Sequence, residues 1–196
     1  MRMPTLETER LLIRPFALGD LAAVHQLLDE DLAEADFGSD GAMPLDERRQ
    51  WLEWTVLNYE QLAKLHQPPY GDRAVTLKTG GEVMGAVGFV PAFNVFERLP
   101  GLRPSGAAAP AELYTPEFGL YYAVAPRHQR RGYAAEAARA MIRYAFGELK
   151  VKRIVATTTY DNEGSMGVMR RLGMRIEKNP YPDPGWLQVV GILDNA

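Results

Sequence analysis

The sequence predicts a single α+β domain in which strands and helices share one core. β-prone runs bounded by turn residues and longer runs with helical spacing of apolar residues both recur along the chain. No internal repeat, low-complexity tract or interdomain linker separates them. A length of 196 residues suits one compact domain, so residues 1–196 are assigned to it.

The composition supports a buried core and narrows the function classes. Hydrophobic residues make up 46% of the chain, which is enough to form a proper core. The formal net charge of -3 argues against a nucleic-acid-binding protein, which normally presents a basic surface. The absence of cysteine excludes disulfides, thiolate metal sites and cysteine nucleophiles. The three histidines lie far apart in the sequence and do not suggest a metal site.

The sequence gives no sign of a membrane protein. It starts without the apolar segment of a signal peptide, and no apolar run is long enough to span a bilayer. We therefore expect a cytoplasmic protein without a membrane partner.

The first half of the chain predicts a strand, two helices and a hairpin. Residues 10–15 form a short β-prone run that ends at a proline. Asp20 is expected to cap a first helix, and a second amphipathic helix is expected at about 44–65. Two β-prone runs, 74–78 and 83–90, flank paired glycines and predict an antiparallel hairpin.

The segment at about 91–116 contains several prolines and no sustained period, so an irregular loop is expected there. Its aromatic residues Phe93, Phe96 and Tyr114 either touch a substrate or anchor the loop.

The second half of the chain predicts three more strands and two more helices. The strands are expected at 118–125, 153–159 and 186–193. A helix with one apolar face is expected at 134–149, and a short helix at 163–172 that Gly173 closes.

The junction between the 118–125 strand and the 134–149 helix carries the clearest functional pattern. Residues Gln129–Ala134 form a glycine-containing turn that leads into a helix, whose first backbone N–H groups have no partners. The helix dipole favours an anion there. Gly132 lets the backbone approach a ligand closely, and Arg130 and Arg131 add positive charge. The pattern predicts a diphosphate site, and a plain turn with solvated arginines is the alternative.

At these residues the sequence resembles the GNAT superfamily of N-acetyltransferases, in particular its ribosomal-protein N-terminal (Rim-type) branch. The acyl-CoA motif of the family, Gln/Arg-x-x-Gly-x-Gly/Ala, is matched by Gln129, Gly132 and Ala134. The segments that look like this branch are 8–15, 132–137, 162–165 and 169–174. The resemblance covers most of the chain and is thinnest in residues 91–116 and after Lys178.

The resemblance implies a mixed, mostly antiparallel twisted sheet flanked by helices, and acetyl-CoA (coenzyme A) as the cofactor. In the family, a strand edge pairs with the pantetheine arm and one backbone N–H faces the oxyanion, here that of Ala123 or Val124. Together with the loop, this assigns cofactor binding to Ala123, Val124, Gln129, Arg130, Arg131, Gly132, Tyr133, Ala134, Asn162 and Ser165.

The resemblance also implies transfer of an acetyl group to a primary amine by direct attack in a ternary complex. Glu117 looks like the general base that the family often uses, directly or through water, and a solvated carboxylate at a strand end is the alternative. Glu112 is a weaker candidate. Glu136 is expected to be structural, because the dipole stabilises a carboxylate in the first turn of a helix.

The sequence offers more than one candidate for the general acid. Asn162 is expected to cap the following helix, to bind pantetheine, or both, and Ser165 to give a proton to the leaving sulfur. Many family members use a tyrosine seven residues after this asparagine as the acid, but here that residue is Met169. The acid is therefore Ser165, a water or Tyr160, unless the thiolate leaves without help.

The acceptor is expected to be a protein N-terminus or a small-molecule amine, with no nucleic acid involved. Four aromatic residues either line its pocket or belong to the core; they are Trp51, Trp54, Tyr59 and Tyr70. Met169 also motivates a second hypothesis, a non-catalytic acyl-CoA-binding regulatory module. A nucleotide-binding protein is disfavoured because the loop lacks the Gly-Lys-Ser/Thr pattern. An exposed C-terminal strand leaves pairing in a homodimer open.

Overall fold

The computed structural model describes residues 2–33, 41–106 and 112–195. Its eight strands form one sheet in the order β1-β2-β3-β4-β5-β6-β8-β7. The strands are β1 Leu6–Glu7, β2 Leu11–Pro15, β3 Gly71–Leu77, β4 Val83–Asn94, β5 Thr115–Val124, β6 Arg153–Thr158, β7 Arg175–Lys178 and β8 Val189–Asp194.

Within these ranges, four α-helices accompany the sheet. Helix α1 spans Leu21–His25 and continues as a π-helical segment through Gln26–Asp31, and α2 spans Leu45–Lys64. Helix α3 spans Tyr133–Gly147 and α4 spans Glu163–Arg171. Among the described residues, no helix is long and apolar enough to cross a bilayer.

The sheet is mixed and mostly antiparallel, as the sequence predicted. The pairs β1–β2, β2–β3, β3–β4, β6–β8 and β7–β8 are antiparallel. The pair β5–β6 is parallel and is registered at Gly119 opposite Val155. The prediction of an α+β fold with a twisted sheet and flanking helices is therefore confirmed.

The chain divides into two compact units. The first comprises Met1–Phe89 and Tyr121–Tyr144, and the second comprises Val90–Leu120 and Ala145–Ala196. The core of the first unit is formed by apolar residues of α1, α2 and the strands, including Phe16, Leu52, Ala74 and Ala123. The single-domain assignment of residues 1–196 stays a prediction.

In the second unit, the loop predicted at about 91–116 is shorter than expected, because the strands on both sides of it extend into this range. Strand β4 continues through Pro91 to Asn94, and β5 already begins at Thr115. The proline is tolerated because the pairing of β3 with β4 ends at Phe89, so no ladder bond to β3 is lost. Between the strands, Val95, Phe96, Leu99 and Leu102 are buried in the core of this unit. Residues 107–111 of the predicted loop lie outside the described ranges.

The C-terminal part of the second unit differs from the prediction in two ways. The last strand begins at Val189 rather than at Trp186, and the short strand β7 was not predicted. Strand β8 pairs with β6 on one side and with β7 on the other. The prediction that the C-terminal strand is exposed for pairing across a dimer is therefore wrong, because both of its edges are occupied.

Candidate active site

The loop between β5 and α3 has the backbone shape that the glycine pattern predicted. A short 3-10 turn at Pro126–His128 follows β5, and α3 begins at Tyr133. Gly132 has a φ of 83° and Arg130 a φ of 60°, so both residues adopt the left-handed conformation. This conformation is unrestricted for glycine but costs about 1 kcal/mol or more for arginine. A loop that keeps such a residue is held by its surroundings.

The loop is held by hydrogen bonds between the N-terminal end of the first unit and Glu136, which lies in the first turn of α3. Thr8 Oγ1 donates a hydrogen bond of 2.6 Å to Glu136 Oε1, and the Arg10 backbone N–H donates one of 3.0 Å to the same oxygen. Arg10 Nε donates to Glu136 Oε2 at 2.7 Å. Burial alone would raise the pKa of Glu136, but these hydrogen bonds outweigh it and lower that pKa. Glu136 is thus structural, as predicted, with partners the sequence analysis had not identified.

Arg10 reaches from this anchor to the loop itself. Its Nη1 donates a hydrogen bond of 3.1 Å to the backbone carbonyl of Arg131. Its guanidinium also lies over the ring of Tyr133, 4.4 Å from the centroid. Tyr133 therefore packs against protein atoms, and its predicted contact with the cofactor stays a prediction. The only sequence signal for the anchor is the Thr-Glu-Arg segment at 8–10.

The side chain of Gln129 closes the other end of the loop. Its Nε2 donates a hydrogen bond of 2.9 Å to the carbonyl of Val124, the last residue of β5. The Gln129 amide N–H2 is therefore engaged by the protein. The Glu136 N–H is bonded to the Gly132 carbonyl at 3.0 Å, which makes Gly132 the residue where the helical hydrogen bonds begin. The backbone N–H groups of the first turn that precede the Glu136 N–H, including that of Ala134, have no acceptor within the helix.

The arginines around the loop differ in their partners. Arg127 pairs with Asp31 at 2.5 Å and with Glu82 at 2.8 Å, so its charge is neutralised. The side chains of Arg130 and Arg131 are exposed and have no hydrogen-bond or ion-pair partner among the described residues. Two free guanidinium groups therefore flank the first turn of α3.

The end of β5 lies close to β4 within the first unit. Ala123 and Val124 are buried, and a Cβ built on Gly85 would lie 2.5 Å from the carbonyl oxygen of Ala123. The N–H of Ala125 donates to the carbonyl of Met84 at 2.9 Å. Glycine at position 85 permits this close approach of two backbones.

In the second unit, Glu117 is engaged in an ion pair. Its Oε1 lies 3.2 Å from Arg153 Nη1, and Arg153 Nε lies 2.7 Å from Asp194 Oδ1. Burial alone would lower the pKa of Arg153, but its two carboxylate partners outweigh it and raise that pKa. Glu117 thus has a structural partner in addition to the base role predicted for it. The weaker candidate, Glu112, is exposed.

Asn162 caps α4 in the way the capping hypothesis predicted. Its Oδ1 accepts a hydrogen bond of 2.9 Å from the Ser165 backbone N–H. Its Nδ2 has no acceptor among the described residues, so it is available to a ligand. Ser165 is half-buried one turn into α4.

The environments of side chains in the second unit leave fewer candidates for the general acid. Met169 is fully buried, and its sulfur would lie 2.9 Å from a Cβ built on Gly191. The Tyr160 hydroxyl donates a hydrogen bond of 2.5 Å to the Asn179 carbonyl, so its proton is committed. The proton-donor role of Ser165 stays a prediction.

The aromatic residues proposed for the acceptor pocket have different environments. Trp51 is half-buried and packs edge-on against Phe16, with ring centroids 6.0 Å apart. Trp54 is 60% exposed and is not part of the hydrophobic core. The Tyr59 hydroxyl donates to the backbone carbonyl of Asp72. Of the aromatic residues in the predicted loop, Phe96 is buried, whereas Phe93 and Tyr114 are exposed. The ring centroids of Phe93 and Tyr114 lie 5.4 Å apart.

Within the described residues, no group of three or more potential ligand side chains is placed to hold a metal ion. The first unit brings Val124 and Gln129 together, and the second brings Asn162 and Ser165 together.

Comparison with known proteins gives one family. The family model of the acetyltransferase (GNAT) domain matches residues 10–175, which is most of the chain. The match includes both the loop at Gln129–Ala134 and the start of α4.

Individual relatives agree with this match. The chain is 25% identical to the Bacillus subtilis (strain 168) N-acetyltransferase YoaA over 175 residues, 89% of this chain and 84% of YoaA. It is 46% identical to the N-acetyltransferase YnaD of the same organism over 52 residues, 26% of this chain and 31% of YnaD. The crystal structure of the ribosomal-protein-S5-alanine acetyltransferase from Vibrio fischeri superimposes with a TM-score of 0.66 at 16% identity, covering 97% of this chain and 96% of that one. The last likeness shows a shared fold.

Proposed function

We propose that this chain, which belongs to the acetyltransferase (GNAT) family, transfers an acetyl group from acetyl-CoA to a primary amine. The acceptor is a protein N-terminus or a small-molecule amine, and attack is direct, within a ternary complex of enzyme, acetyl-CoA and amine. The observation that carries the proposal is the loop Gln129–Ala134, with its left-handed Gly132 and two unpaired arginines at the start of α3.

In this proposal the loop binds the pyrophosphate of acetyl-CoA. The free N–H groups of Gly132, Tyr133 and Ala134 donate to phosphate oxygens, and the dipole of α3 favours the negative charge. Arg130 and Arg131 add charge-assisted hydrogen bonds. Gln129 acts by holding the loop to the end of β5, since its side chain is bonded to the Val124 carbonyl.

The chemical roles rest on the remaining predicted residues. A backbone N–H of Ala123 or Val124 stabilises the oxyanion, and Asn162 Nδ2 binds the pantetheine arm. Glu117 accepts the proton of the amine, directly or through water, and Ser165 gives a proton to the departing sulfur. The chain has no cysteine, so an acyl-cysteine intermediate is excluded and direct attack is favoured.

Titration calorimetry with coenzyme A tests the loop. We expect Arg130→Ala and Arg131→Ala each to weaken binding about 10-fold, since each removes a charge-assisted contact of about 1.5 kcal/mol. Arg49→Ala is the matched control, because Arg49 is an exposed arginine of α2, far along the chain from the loop. The absence of coenzyme A binding by the unaltered protein would sink the proposal.

A second candidate, a non-catalytic acyl-CoA-binding module, is favoured by one observation. The position of the usual catalytic tyrosine is a buried methionine, and the nearby Tyr160 hydroxyl is committed to a backbone carbonyl. Release of free thiol from acetyl-CoA in the presence of an amine panel distinguishes the two. Turnover that falls at least 10-fold in Glu117→Gln supports the enzyme, whereas coenzyme A binding without turnover supports the module.

A further inference from the structure

The first unit contains a carboxylate without a partner. Asp72 lies on β3 and is half-buried, yet its side chain has no hydrogen bond or ion pair with any residue in the ranges 2–33, 41–106 and 112–195. Burial raises the pKa of Asp72 to about 6, opposed only by the positive charge of Arg48. Carboxylates removed from water are normally paired, so an unpaired one requires an explanation.

The space around this carboxylate is built into the sheet. Gly88 lies opposite Asp72 in the β3–β4 register, and a Cβ built on Gly88 would lie 2.9 Å from Asp72 Oδ1. The absence of a side chain at position 88 therefore makes room for the carboxylate. From α2, the Tyr59 hydroxyl donates to the Asp72 backbone carbonyl and fixes this end of β3.

Asp72 lies on the face of the sheet that α1 and α2 cover. Side chains alternate along a strand, so Asp72 shares its face with Ala74, which is buried in the core formed by these helices. Tyr121 of β5 packs against the same core and remains half-buried. Burial and the negative charge of Asp72 raise the pKa of Tyr121 well above its ordinary value. Asp72 and Tyr121 thus interact, and each keeps part of its surface accessible to solvent.

The cation whose charge acts on Asp72 is already paired with another carboxylate. Arg48 donates to both carboxylate oxygens of Asp29 at 2.7 Å, and its guanidinium lies over the ring of Trp51 at 4.8 Å. Its donors are therefore directed towards another carboxylate. Among the described residues, the first unit thus leaves the Asp72 carboxylate without a cationic partner, while Tyr121 packs against the same core.

We propose that Asp72 binds the ammonium group of the acceptor amine on the side of the sheet where Tyr121 packs. This inference rests on the proposed acetyltransferase function and names its substrate class, an amine that is cationic at neutral pH. An ammonium ion pairs with a carboxylate and is attracted by an aromatic face, and both attractions are strong where water is partly excluded. Asp72 is thus a specificity-determining residue that touches the substrate.

Steady-state kinetics with two kinds of amine test the proposal. The cationic probes are 1,5-diaminopentane and an alanine-initiated tetrapeptide amide, and the neutral probe is 2,2,2-trifluoroethylamine, which is largely deprotonated at pH 8. We expect Asp72→Asn to raise KM for the cationic probe that turns over by about 10-fold or more, as for the loss of a charge-assisted contact. KM for acetyl-CoA and for the neutral amine should stay within about twofold. An equal change for the cationic and the neutral amine would overturn the proposal.

A matched control and a second readout separate this inference from the proposed function. Asp46→Asn removes an exposed carboxylate of α2 and should leave all these constants unchanged. Glu117→Gln, in contrast, should lower kcat for both kinds of amine. If no probe turns over, thermal unfolding decides: 1,5-diaminopentane at saturating concentration should raise Tm of the unaltered protein but not of Asp72→Asn. No rise in either protein would overturn the assignment even if coenzyme A binds.

The pH dependence of acceptor use provides a further readout. The groups that interact electrostatically with Asp72 are Arg48 and Tyr59 of α2 and Tyr121 of β5. The two tyrosines do not titrate between pH 5 and 8, since the pKa of Tyr59 is raised to about 12 and that of Tyr121 is raised well above its ordinary value. kcat/KM for the cationic probe should therefore fall as the pH drops through about 6, where Asp72 becomes protonated. A profile with the same limb in Asp72→Asn would contradict the assignment.

Discussion

Two aspartates of the first unit have opposite environments. Asp29 is buried and accepts two hydrogen bonds of 2.7 Å from Arg48 and one of 2.8 Å from the Met43 N–H. Burial alone would raise the pKa of Asp29, but these donors outweigh it and lower that pKa. Asp72 has no such donors, and burial raises its pKa to about 6.

The difference separates a carboxylate that stabilises the fold from one that the fold tolerates. A buried charge with complete hydrogen bonding is consistent with a structural role, and removing one partner leaves the other exposed to the full desolvation penalty. A buried charge without partners lowers stability, and such groups persist mainly where function requires them. The same arginine acts on both aspartates, so the comparison can be tested by changing it.

The largest effect on the free energy of unfolding is expected for Arg48→Met. The substitution leaves Asp29 buried without its main partner, so the free energy of unfolding at pH 7.5 should fall by about 3 kcal/mol. The pKa of Asp29 is lowered in the folded state, so this contribution is complete above the ordinary value of 3.8 and is lost as the pH falls towards the folded value. Urea unfolding between pH 3 and 7.5 measures it.

Two further variants make that result specific. Arg49→Met changes the exposed neighbour in the same helix and should alter stability by less than about 0.5 kcal/mol. The double variant Asp29→Asn with Arg48→Met should recover part of the loss, because neither charge of this ion pair remains. Equal losses for the single and the double variant would show that packing of Arg48, rather than the ion pair, holds this region.

The next largest effect is expected for Gly88→Ala. The added Cβ would lie 2.5 Å from the Gly71 carbonyl oxygen and 2.9 Å from Asp72 Cα and Oδ1, so backbone must move. We expect a loss of about 2 kcal/mol, as for other overpacked sites. Gly19→Ala is the control, since nothing lies within 4 Å of a Cβ there. A Gly88→Ala protein of unchanged stability would mean that Asp72 can leave its place freely.

A smaller effect of opposite sign is expected for Asp72→Asn. The folded pKa of about 6 lies above the ordinary 3.8, so the ionised carboxylate destabilises the fold fully above about pH 6 and not at all below about 3.8. Two pH units correspond to about 3 kcal/mol, and partial exposure reduces this to about 1–2 kcal/mol. The variant should therefore be more stable than the unaltered protein at pH 7.5 and equally stable near pH 3.5. Chemical unfolding at both pH values measures this, and destabilisation at pH 7.5 would contradict it.

Much of the fold was predictable because strands and helices in this chain have clear apolar spacing. The helix α2 and the strands β5 and β6 lie within one to three residues of their predicted bounds. Strand β4 was predicted too short, since Pro91 normally ends a strand and its lack of a β3 partner is a tertiary feature. Strand β7 was missed because its four residues, Arg-Ile-Glu-Lys, carry too little apolar pattern.

The site was predictable only where local sequence determines it. Gly132 and the start of α3 indicate an anion site without knowledge of the fold, because the free N–H groups follow from the helix itself. The anchor formed by Thr8, Arg10 and Glu136 joins residues more than 120 positions apart. Asp72 is likewise undistinguished in the sequence, since its lack of partners depends on Gly88 and on how Arg48 is used.

Glu136 is a third carboxylate of the first unit that can be compared with Asp29 and Asp72. The smallest effect on stability is expected for the loss of one of its partners. Glu136 is half-buried like Asp72 but fully partnered like Asp29, so its partners should stabilise the fold and the loop together. Thr8→Val removes the hydrogen bond of 2.6 Å to Glu136 and the one of 2.9 Å that Thr8 Oγ1 accepts from the Leu11 N–H, while keeping the side-chain shape. We expect a loss of about 1 kcal/mol in the free energy of unfolding. A loosened loop should also bind coenzyme A a few-fold more weakly, as calorimetry would measure. Weaker binding at unchanged stability would instead assign Thr8 a direct contact with the cofactor, since an anchor must act on both.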